Sequence, residues 1–409
     1  MSSTRLAGAP ETNHAAIIEV LRSRGPTTRP ELERATGLGR KIISERVQEL
    51  LNLGLVSEGD FAPSTGGRMA RKIDFRADRG VVAVAEMNVY HATVGIADLA
   101  GRTLALRQVE VDVRDGPAIA VAALASAISA LASESGWSLD AVWGVGVGVL
   151  APVDRSQGTV VPGHLFTRTT MAGWDGFRVR DRLQEQLGRP VWVDNEVNLM
   201  ALGELRSGRA RGQSDVVFVK LGPSVGGGLV IGGRLQHGKA SAGEIGHLVV
   251  PHEEPRPCWC GGRGCLATFI NDASVLAEAG GRYSSLAGLL QSAAGDGHAV
   301  EVLRRAGVRT GAVLANVVTL LDPSLLLLGG TLVDHGEIVL DAIRAVVSTE
   351  GMPYAAERLR IEHSPLSDRA GLVGAAAMAV DALFEPSVLG LWLAEGSPVR
   401  HLEALVSVP

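Results

Sequence analysis

Apolar positions at helical spacing predict three short helices at the start of the chain. The first spans residues 12–24 and is ended by Gly25-Pro26. Thr28-Arg29-Pro30-Glu31 has the composition of a capping box with proline in the first turn, which predicts a second helix that ends near Thr36. A third helix is predicted to begin near Gly39.

Two runs that alternate apolar and polar residues follow the three helices. A strand is predicted to begin at residues 55–58, and Arg71-Lys72-Ile73-Asp74-Phe75 alternates as its return strand. Pro63-Ser64-Thr65-Gly66-Gly67 lies between them as a turn. Three helices and a hairpin within about 65 residues are typical of a winged helix-turn-helix. We therefore expect residues 1–77 to form a DNA-binding domain.

The third predicted helix carries its basic residues opposite its apolar stripe, as expected of a helix that enters the major groove. A second basic group lies on the predicted wing, where it would reach phosphates or the minor groove. The candidate DNA-binding residues are Arg40, Lys41, Ser44, Arg46, Arg68 and Arg71. The alternative is a helical protein-interaction module, whose surface is also polar and partly basic.

After residue 80 the pattern changes to short β-rich runs that alternate with Ala- and Leu-rich helices. Paired strands and crossover helices occur over residues 81–193 and again over residues 216–328. Such a repeat predicts an α/β body of two similar lobes with a cleft between them. We place the first lobe at residues 78–197 and the second at residues 198–369.

Length and charge support a multidomain protein. A chain of 409 residues suits two or three domains. Residues 1–77 carry a net charge of +3 and the remainder −8, so a mildly basic head precedes an acidic body. No apolar run reaches the roughly 18 residues of a membrane span, and no export signal is visible. We expect a soluble, cytoplasmic protein without a membrane partner.

The three cysteines of the chain fall within eight residues, which excludes a disulfide framework. Cys258, Cys260 and Cys265 lie in a glycine-rich turn, with His247 upstream. This set matches a closed Cys3His site for a structural zinc ion, because four protein ligands leave no position for a catalytic water. The alternative is three free thiols beside an unrelated histidine.

The chain resembles the ROK family of repressors, open reading frames and sugar kinases over residues 80–385. The resemblance is carried by Gly243-Glu244-Ile245-Gly246-His247 with the cysteine motif, and by Asp194-Asn195-Glu196-Val197-Asn198. It implies a two-lobed, actin-like and ribonuclease-H-like fold of the sugar-kinase ATPase type. In that fold a C-terminal helix, here within about residues 370–409, completes the first lobe. The head resembles the winged helix of the family's repressor branch.

The resemblance also implies a sugar pocket and a damaged phosphate site. The implied sugar-binding residues are Asn195, Glu196, Glu244 and His247, and Ala267 stands where the family often has a sugar-binding glutamate. Where the kinases carry Asp-x-Gly-x-Thr, this chain has Glu86, Asn88 and Tyr90. Pro223 and Ser224 lie in the second phosphate loop, where Pro223 replaces threonine and lacks an N–H, and Glu196 replaces the catalytic aspartate.

These features predict a repressor that has no enzymatic activity. The expected partners are operator DNA and a monosaccharide or phosphosugar effector, and the expected assembly is a homodimer or homotetramer. One alternative is an active carbohydrate kinase with a regulatory DNA-binding head. Another is a DNA-binding protein whose body serves only for dimerisation.

Overall fold

The computed structural model describes residues 10–61, 69–162, 171–401 and 405. The helices, numbered in chain order, are α1 Pro10–Arg24, α2 Arg29–Thr36, α3 Arg40–Asn52, α4 Pro117–Glu134, α5 Val179–Leu187, α6 Glu196–Ser207, α7 Ala267–Ile270, α8 Asp272–Glu278, α9 Leu286–Ser292, α10 Gly297–Leu321, α11 Thr331–Asp334, α12 Ile338–Glu350, α13 Pro353–Ala356, α14 Ala370–Leu383 and α15 Pro386–Trp392.

The strands are β1 Thr27–Thr28, β2 Val56–Phe61, β3 Arg71–Phe75, β4 Val81–Met87, β5 His91–Asp98, β6 Thr103–Glu110, β7 Val142–Val149, β8 Val153–Asp154, β9 Thr159–Val160, β10 Val191–Asn195, β11 Val216–Leu221, β12 Val225–Ile231, β13 Arg234–Gln236, β14 Leu325–Gly329 and β15 Arg360–His363.

The head consists of α1–α3 and a small antiparallel sheet in the order β1-β3-β2. The predicted capping box is present at the start of α2. The backbone N–H of Thr28 donates to the Glu31 carboxylate at 2.8 Å, which satisfies a backbone donor that has no partner within the helix. Gly37, in the left-handed region at φ 71°, ends α2. The three predicted helices and the two predicted strands are present, in the order expected of a winged helix, whereas the predicted turn at residues 63–67 lies outside the described residues.

The body contains two five-stranded sheets with the same topology. The first has the order β10-β7-β4-β5-β6 and the second β13-β12-β11-β14-β15. In the first sheet, β4 pairs antiparallel with β5 and parallel with β7. In the second sheet, β11 pairs in the same way with β12 and β14. The repeat predicted from the alternating pattern is confirmed.

Helices α6 and α14 cross at unusually close range between the two sheets. A Cβ atom on Gly203 would lie 2.1 Å from the carbonyl oxygen of Ala370, and one on Gly374 would lie 1.8 Å from that of Leu199. Only glycine permits this approach of two helix backbones. Helix α6 begins at the cleft and also packs on β12, so the α6–α14 pair connects the two lobes.

The head rests on the end of the described chain. Helix α1 packs against α15, and the Trp392 ring forms edge-on contacts with Trp143 at 5.4 Å and with Phe384 at 5.5 Å. Phe75 of the head contacts Phe384 at 5.5 Å. One hydrophobic core therefore continues from the head into the first lobe.

Ion pairs surround this shared core. The Arg22 guanidinium of the head contacts the Asp381 carboxylate at 2.9 Å, and Arg206 contacts the other oxygen of Asp381 at 2.5 Å and Glu19 at 3.4 Å.

The end of the chain differs from the expected single C-terminal helix. Helix α14 ends at Leu383, and α15 with two short turns carries the chain to residue 400 beside the head. The reason is the sequence Glu385-Pro386, since proline starts a new helix and Glu385 caps it through the N–H of Ser387.

Helix α4, with 18 residues, is long and apolar enough to span a membrane by length and composition, which corrects the expectation that no run of the chain reaches that length. Its apolar face, which includes Val121, Leu124 and Ile128, is buried in the core of the first lobe. Such burial is typical of a core helix in a folded domain.

Candidate functional site

A cleft of about 430 Å³ opens where the ends of β10 and β12 and the start of α6 meet. Its polar lining combines carboxylates and amides with one histidine, groups that suit vicinal hydroxyls. The polar residues are Asn195, Glu196, Asn198, Ser224, Glu244, His247, Asn271 and Asp272. All four residues implied as sugar-binding thus line one cleft, and so does Ala267.

Glu196, at the first turn of α6, is held from both sides. Its Oε2 accepts a hydrogen bond from the Lys220 ammonium at 2.7 Å, and its Oε1 accepts one from the Ser224 hydroxyl at 2.8 Å. Both charged side chains of the pair are buried. Both carboxylate oxygens of Glu196 are therefore occupied by donors of the protein itself.

Asn195 caps a helix and also lines the cleft. Its Oδ1 accepts from the backbone N–H groups of Val197 and Asn198 at 2.9 and 3.3 Å, so it is the N-cap of α6. Asp194 beside it is buried and accepts from His237 at 2.8 Å and from the Asn198 amide at 3.0 Å. These contacts fix the start of α6 and with it the position of Glu196.

Glu244 immediately precedes a short helical turn of the cleft wall, Ile245–His247, and His247 ends it. The Glu244 carboxylate is 3.7 Å from Nε2 of His247. Burial raises the pKa of Glu244 to about 7.

His247 also faces the cysteine motif through its other ring nitrogen. Nδ1 of His247 is 3.7 Å from the Cys258 sulfur, and the Cys260 and Cys265 sulfurs are 3.6 Å apart. One ligand atom from each of the four residues lies within 4.8 Å of all the others. Distances near 3.7 Å match the edges of a tetrahedron around a metal with bonds of about 2.3 Å. The cluster therefore fits a metal ion, and Glu244 would orient the histidine ligand.

Glu86 lies at the end of β4 and is 6 % exposed. Burial, and then the Glu196 charge, raise the pKa of Glu86 to about 8, against the opposing effect of Lys220. Its carboxylate fills the space beside Gly371 of α14, where a Cβ would lie 2.2 Å from Oε2.

Two residues of the loops that the resemblance implies as phosphate loops, Tyr90 and Pro223, line the cleft. The Lys220 ammonium already neutralises Glu196, and Pro223 presents no N–H to a phosphate. Tyr90 lines the cleft and is 62 % exposed.

The structure brings together only part of the candidate DNA-binding set. Arg40, Lys41 and Ser44 are exposed on one side of α3. Arg46 is half-buried, and its guanidinium contacts the Glu49 carboxylate at 2.6 Å. Arg71 on β3 is exposed and lies over the Phe61 ring. Arg68 lies outside the described residues.

Sequence patterns did not indicate Lys220, Asp272 or the Arg22–Asp381 pair. A lysine within a strand of apolar residues, as in Val216-Val217-Phe218-Val219-Lys220-Leu221, was the available signal for Lys220. An isolated charge in such a strand requires a buried partner.

The ROK family model matches residues 84–382 of this chain. A xylose repressor from Caldicellulosiruptor bescii is 24 % identical over 388 residues, which cover 90 % of this chain and 96 % of the repressor. The head lies before the residues that the family model matches, and a match over 90 % of the chain includes part of the head.

Two solved structures share the fold. The structure of a ROK family transcriptional regulator, described as a homologue of the E. coli Mlc protein, has a TM-score of 0.79 at 20 % identity and covers 94 % of this chain and 99 % of its own. A ROK family glucokinase from Streptomyces griseus, in complex with glucose and AMPPNP, has a TM-score of 0.64 at 30 % identity. It covers 73 % of this chain and 99 % of its own.

Proposed function

Because the chain belongs to the ROK family, we propose that it is a DNA-binding transcriptional repressor that responds to a sugar. One observation carries the proposal: a winged-helix head with an exposed basic helix face precedes the family fold. The repressor relative matches nearly the whole chain, whereas the glucokinase leaves about a quarter of it unmatched. The protein acts in the cytoplasm as a homodimer or larger assembly, because paired half-sites require paired heads.

The DNA contacts of the proposal are Arg40, Lys41, Ser44, Arg71 and the wing residue Arg68. Full-length protein is incubated with fragmented genomic DNA of its own organism, and the retained fragments are sequenced. We expect a small set of fragments that share a repeated half-site. Lys41→Ala should weaken binding to them and lower the salt dependence by about one phosphate contact.

Arg304→Ala is the matched control, because Arg304 is an exposed arginine of α10 in the body. It should bind the selected DNA as the wild type does. The proposal would be contradicted if the wild type retained no DNA fragments selectively. It would also be contradicted if Lys41→Ala bound the selected DNA as tightly as the wild type.

The effector proposal is an unphosphorylated monosaccharide in the cleft. Among the described lining residues there are three carboxylates and no arginine or lysine, so a sugar phosphate would meet no free counter-charge. We expect thermal stabilisation by one or more neutral pentoses or hexoses, and a smaller effect of their phosphates at equal concentration. Asn271→Ala should reduce the shift, because its amide lines the cleft.

The metal proposal is a structural zinc ion held by His247, Cys258, Cys260 and Cys265. Its role is to fix the loop between residues 247 and 265, which forms the cleft wall beside Glu244. Four protein ligands leave no position for water, so the ion takes no part in chemistry.

The similarity to glucokinases supports one alternative, an active sugar kinase. Turnover of ATP with a panel of neutral sugars tests it, with Glu196→Gln as the control for the active site. We expect no turnover above that of Glu196→Gln, because Lys220 and Ser224 hold both oxygens of Glu196.

A further inference from the structure

A groove of about 720 Å³ lies where the head meets the body. Its walls include the end of helix α1 in the head, the turn between β5 and β6 in the first lobe, and the turn between β12 and β13 in the second lobe. The end of α6 and the loop that follows it also line the groove. None of the described residues that line it also lines the candidate sugar cleft. A molecule in this groove can therefore reach the head and both lobes without entering the cleft.

Arginine dominates the charged lining of this groove. Its five arginines are Arg22, Arg24, Arg102, Arg206 and Arg211, and Glu19 is the acidic residue beside them. Asp381 of α14 contacts two of the arginines. With both carboxylates counted, three positive charges remain in surplus, whereas the whole chain has a net charge of −5. Positive charge is therefore concentrated in the groove against the overall balance of the protein.

Two of the five arginines already have carboxylate partners. The guanidinium groups of Arg22 and Arg206 lie 2.9 and 2.5 Å from the two oxygens of Asp381. Glu19 lies 3.7 Å from Arg22 and 3.4 Å from Arg206. These two arginines and two carboxylates form a network without net charge. The surplus belongs to the other three arginines, which are Arg24, Arg102 and Arg211.

The other three arginines are exposed, and none of them has an ion-pair partner among the described residues. Arg24 belongs to the head, whereas Arg102 and Arg211 belong to the body. The Arg211 guanidinium donates a hydrogen bond to the backbone carbonyl of Ser23, so it holds a positive charge of the body against the end of α1. Like charges in one cavity repel each other and attract anions from solution. The docked position of the head therefore brings together charges that an anion would balance.

The end of a helix accounts for part of this positive charge. Arg22 and Arg24 lie in the last turn of α1, and Arg211 donates to a carbonyl of that turn. The C-terminal end of a helix carries the equivalent of only about half a negative charge, which is less than the charge of these arginines. Arg102, in the turn between β5 and β6, adds a further charge from the first lobe. The surplus is thus larger than the helix dipole balances.

Phosphoryl groups are the anions that suit this lining. The planar guanidinium group binds phosphate oxygens through paired N–H donors. A phosphate ester carries about −1.5 to −2 charges at pH 7, so a surplus of three charges corresponds to two phosphoryl groups. The volume of the groove, about 720 Å³, lies within the range of about 300–1,000 Å³ that is typical of sites for small molecules. Charge and volume together favour a ligand larger than a single phosphate ion.

We propose that the groove binds a small molecule that carries a diphosphate group, and that this anion strengthens the docking of the head on the body. The anion neutralises Arg24 on one side of the head–body boundary, and Arg102 and Arg211 on the other. It differs in charge and in position from the neutral sugar that is proposed for the cleft.

A DNA backbone is a second polyanion that arginines bind, but the position of the groove favours a small molecule. The Arg22 side chain lines the groove and is only 12 % exposed, so the cavity extends between the head and the body. A small anion can enter such a space, whereas a duplex needs an open face. The experiment distinguishes the two.

The test is isothermal titration calorimetry of the full-length, zinc-loaded protein with pyrophosphate at low salt and without magnesium. We expect one site per chain, with an affinity at least about tenfold above that for orthophosphate. Arg102→Gln removes a guanidinium that has no carboxylate partner among the described residues, and it should weaken pyrophosphate binding by about tenfold. Pyrophosphate should also slow the hydrogen exchange of residues 19–24 in the wild type, because it fixes the end of α1.

Arg282→Gln is the matched control. Arg282 is an exposed arginine between α8 and α9 and does not line the groove. This variant should bind pyrophosphate as the wild type does. Arg24→Gln tests the head side of the groove and should weaken binding as Arg102→Gln does. The folding of each variant is checked by circular dichroism.

Three results would overturn the proposal. The first is the absence of pyrophosphate binding to the folded wild type, a measurement that needs no variant; if Arg102→Gln then weakens DNA binding, the groove contacts the DNA backbone instead. The second is equal affinity of the wild type, Arg24→Gln and Arg102→Gln, which would place the bound pyrophosphate elsewhere. The third is equal affinity for orthophosphate and pyrophosphate, which would indicate an adventitious ion only. The titrations contain neither DNA nor sugar, so their outcome is independent of the proposed function.

Discussion

The buried carboxyl of Glu86 should make the stability of this protein fall as the pH rises through neutrality. Burial and the Glu196 charge raise its pKa from 4.5 to about 8. The folded protein therefore retains this proton up to about pH 8, whereas the unfolded chain releases it above about pH 4.5. The contribution of Glu86 to stability is fully present below pH 4.5 and is lost as the pH rises through 8.

Glu86→Gln removes this pH dependence, because the amide resembles the protonated carboxyl and does not ionise. Each pKa unit corresponds to about 1.4 kcal/mol, so the full loss between pH 4.5 and 8 is about 5 kcal/mol. Over the accessible interval from pH 5 to pH 7, the free energy of unfolding of Glu86→Gln should gain about 3 kcal/mol relative to the wild type. A constant difference from altered hydrogen bonding does not affect this slope.

The assay is urea unfolding of both proteins at several pH values, with Glu350→Gln as the control. Glu350 is exposed at the end of α12, so this variant should follow the wild type at every pH. Titration of all other groups, including the metal ligands, is common to the proteins compared and cancels. The reasoning is refuted if the difference in the free energy of unfolding between Glu86→Gln and the wild type changes by less than about 1 kcal/mol from pH 5 to pH 7.

Two further predictions concern the metal cluster and the seat of the head. Chelator treatment of the zinc-loaded protein, or the substitution Cys260→Ser, should lower the melting temperature. Added zinc should restore the melting temperature of the treated wild type but not that of the variant. Equal melting curves with and without the chelator would exclude a structural ion. Trp392→Ala should lower the free energy of unfolding by about 3–5 kcal/mol, because it empties the core beneath the head. It should also accelerate proteolysis near α1, whereas the control Trp137→Ala should leave α1 protected. An unchanged cleavage rate in Trp392→Ala would contradict the described packing.

Features encoded in neighbouring residues were predictable from the sequence. The capping box at Thr28 and Glu31, the end of α1 at Gly25 and the strand Val216–Leu221 all follow from patterns a few residues long. The metal cluster was equally accessible, because three cysteines within eight residues leave few alternatives. The short strand β1 was missed, since two threonines carry no alternation.

Contacts between distant residues could not be predicted in the same way. The Lys220–Glu196 pair joins positions 24 residues apart, and the Arg22–Asp381 pair joins positions 359 apart. A basic residue on an amphipathic helix has the same local pattern whether it faces DNA or a carboxylate. Arg46 illustrates this, because its ion pair with Glu49 is a contact that the local pattern does not indicate.

The docking of α1 on α15 gives this protein an order of assembly. The support of the head is formed by residues that the ribosome adds after about position 380, once both lobes have been synthesised. A growing chain that has exposed only its first three hundred residues lacks the part of this core that α14 and α15 contribute. Premature termination before α14 would thus release a protein in which a large part of the core between head and body is missing.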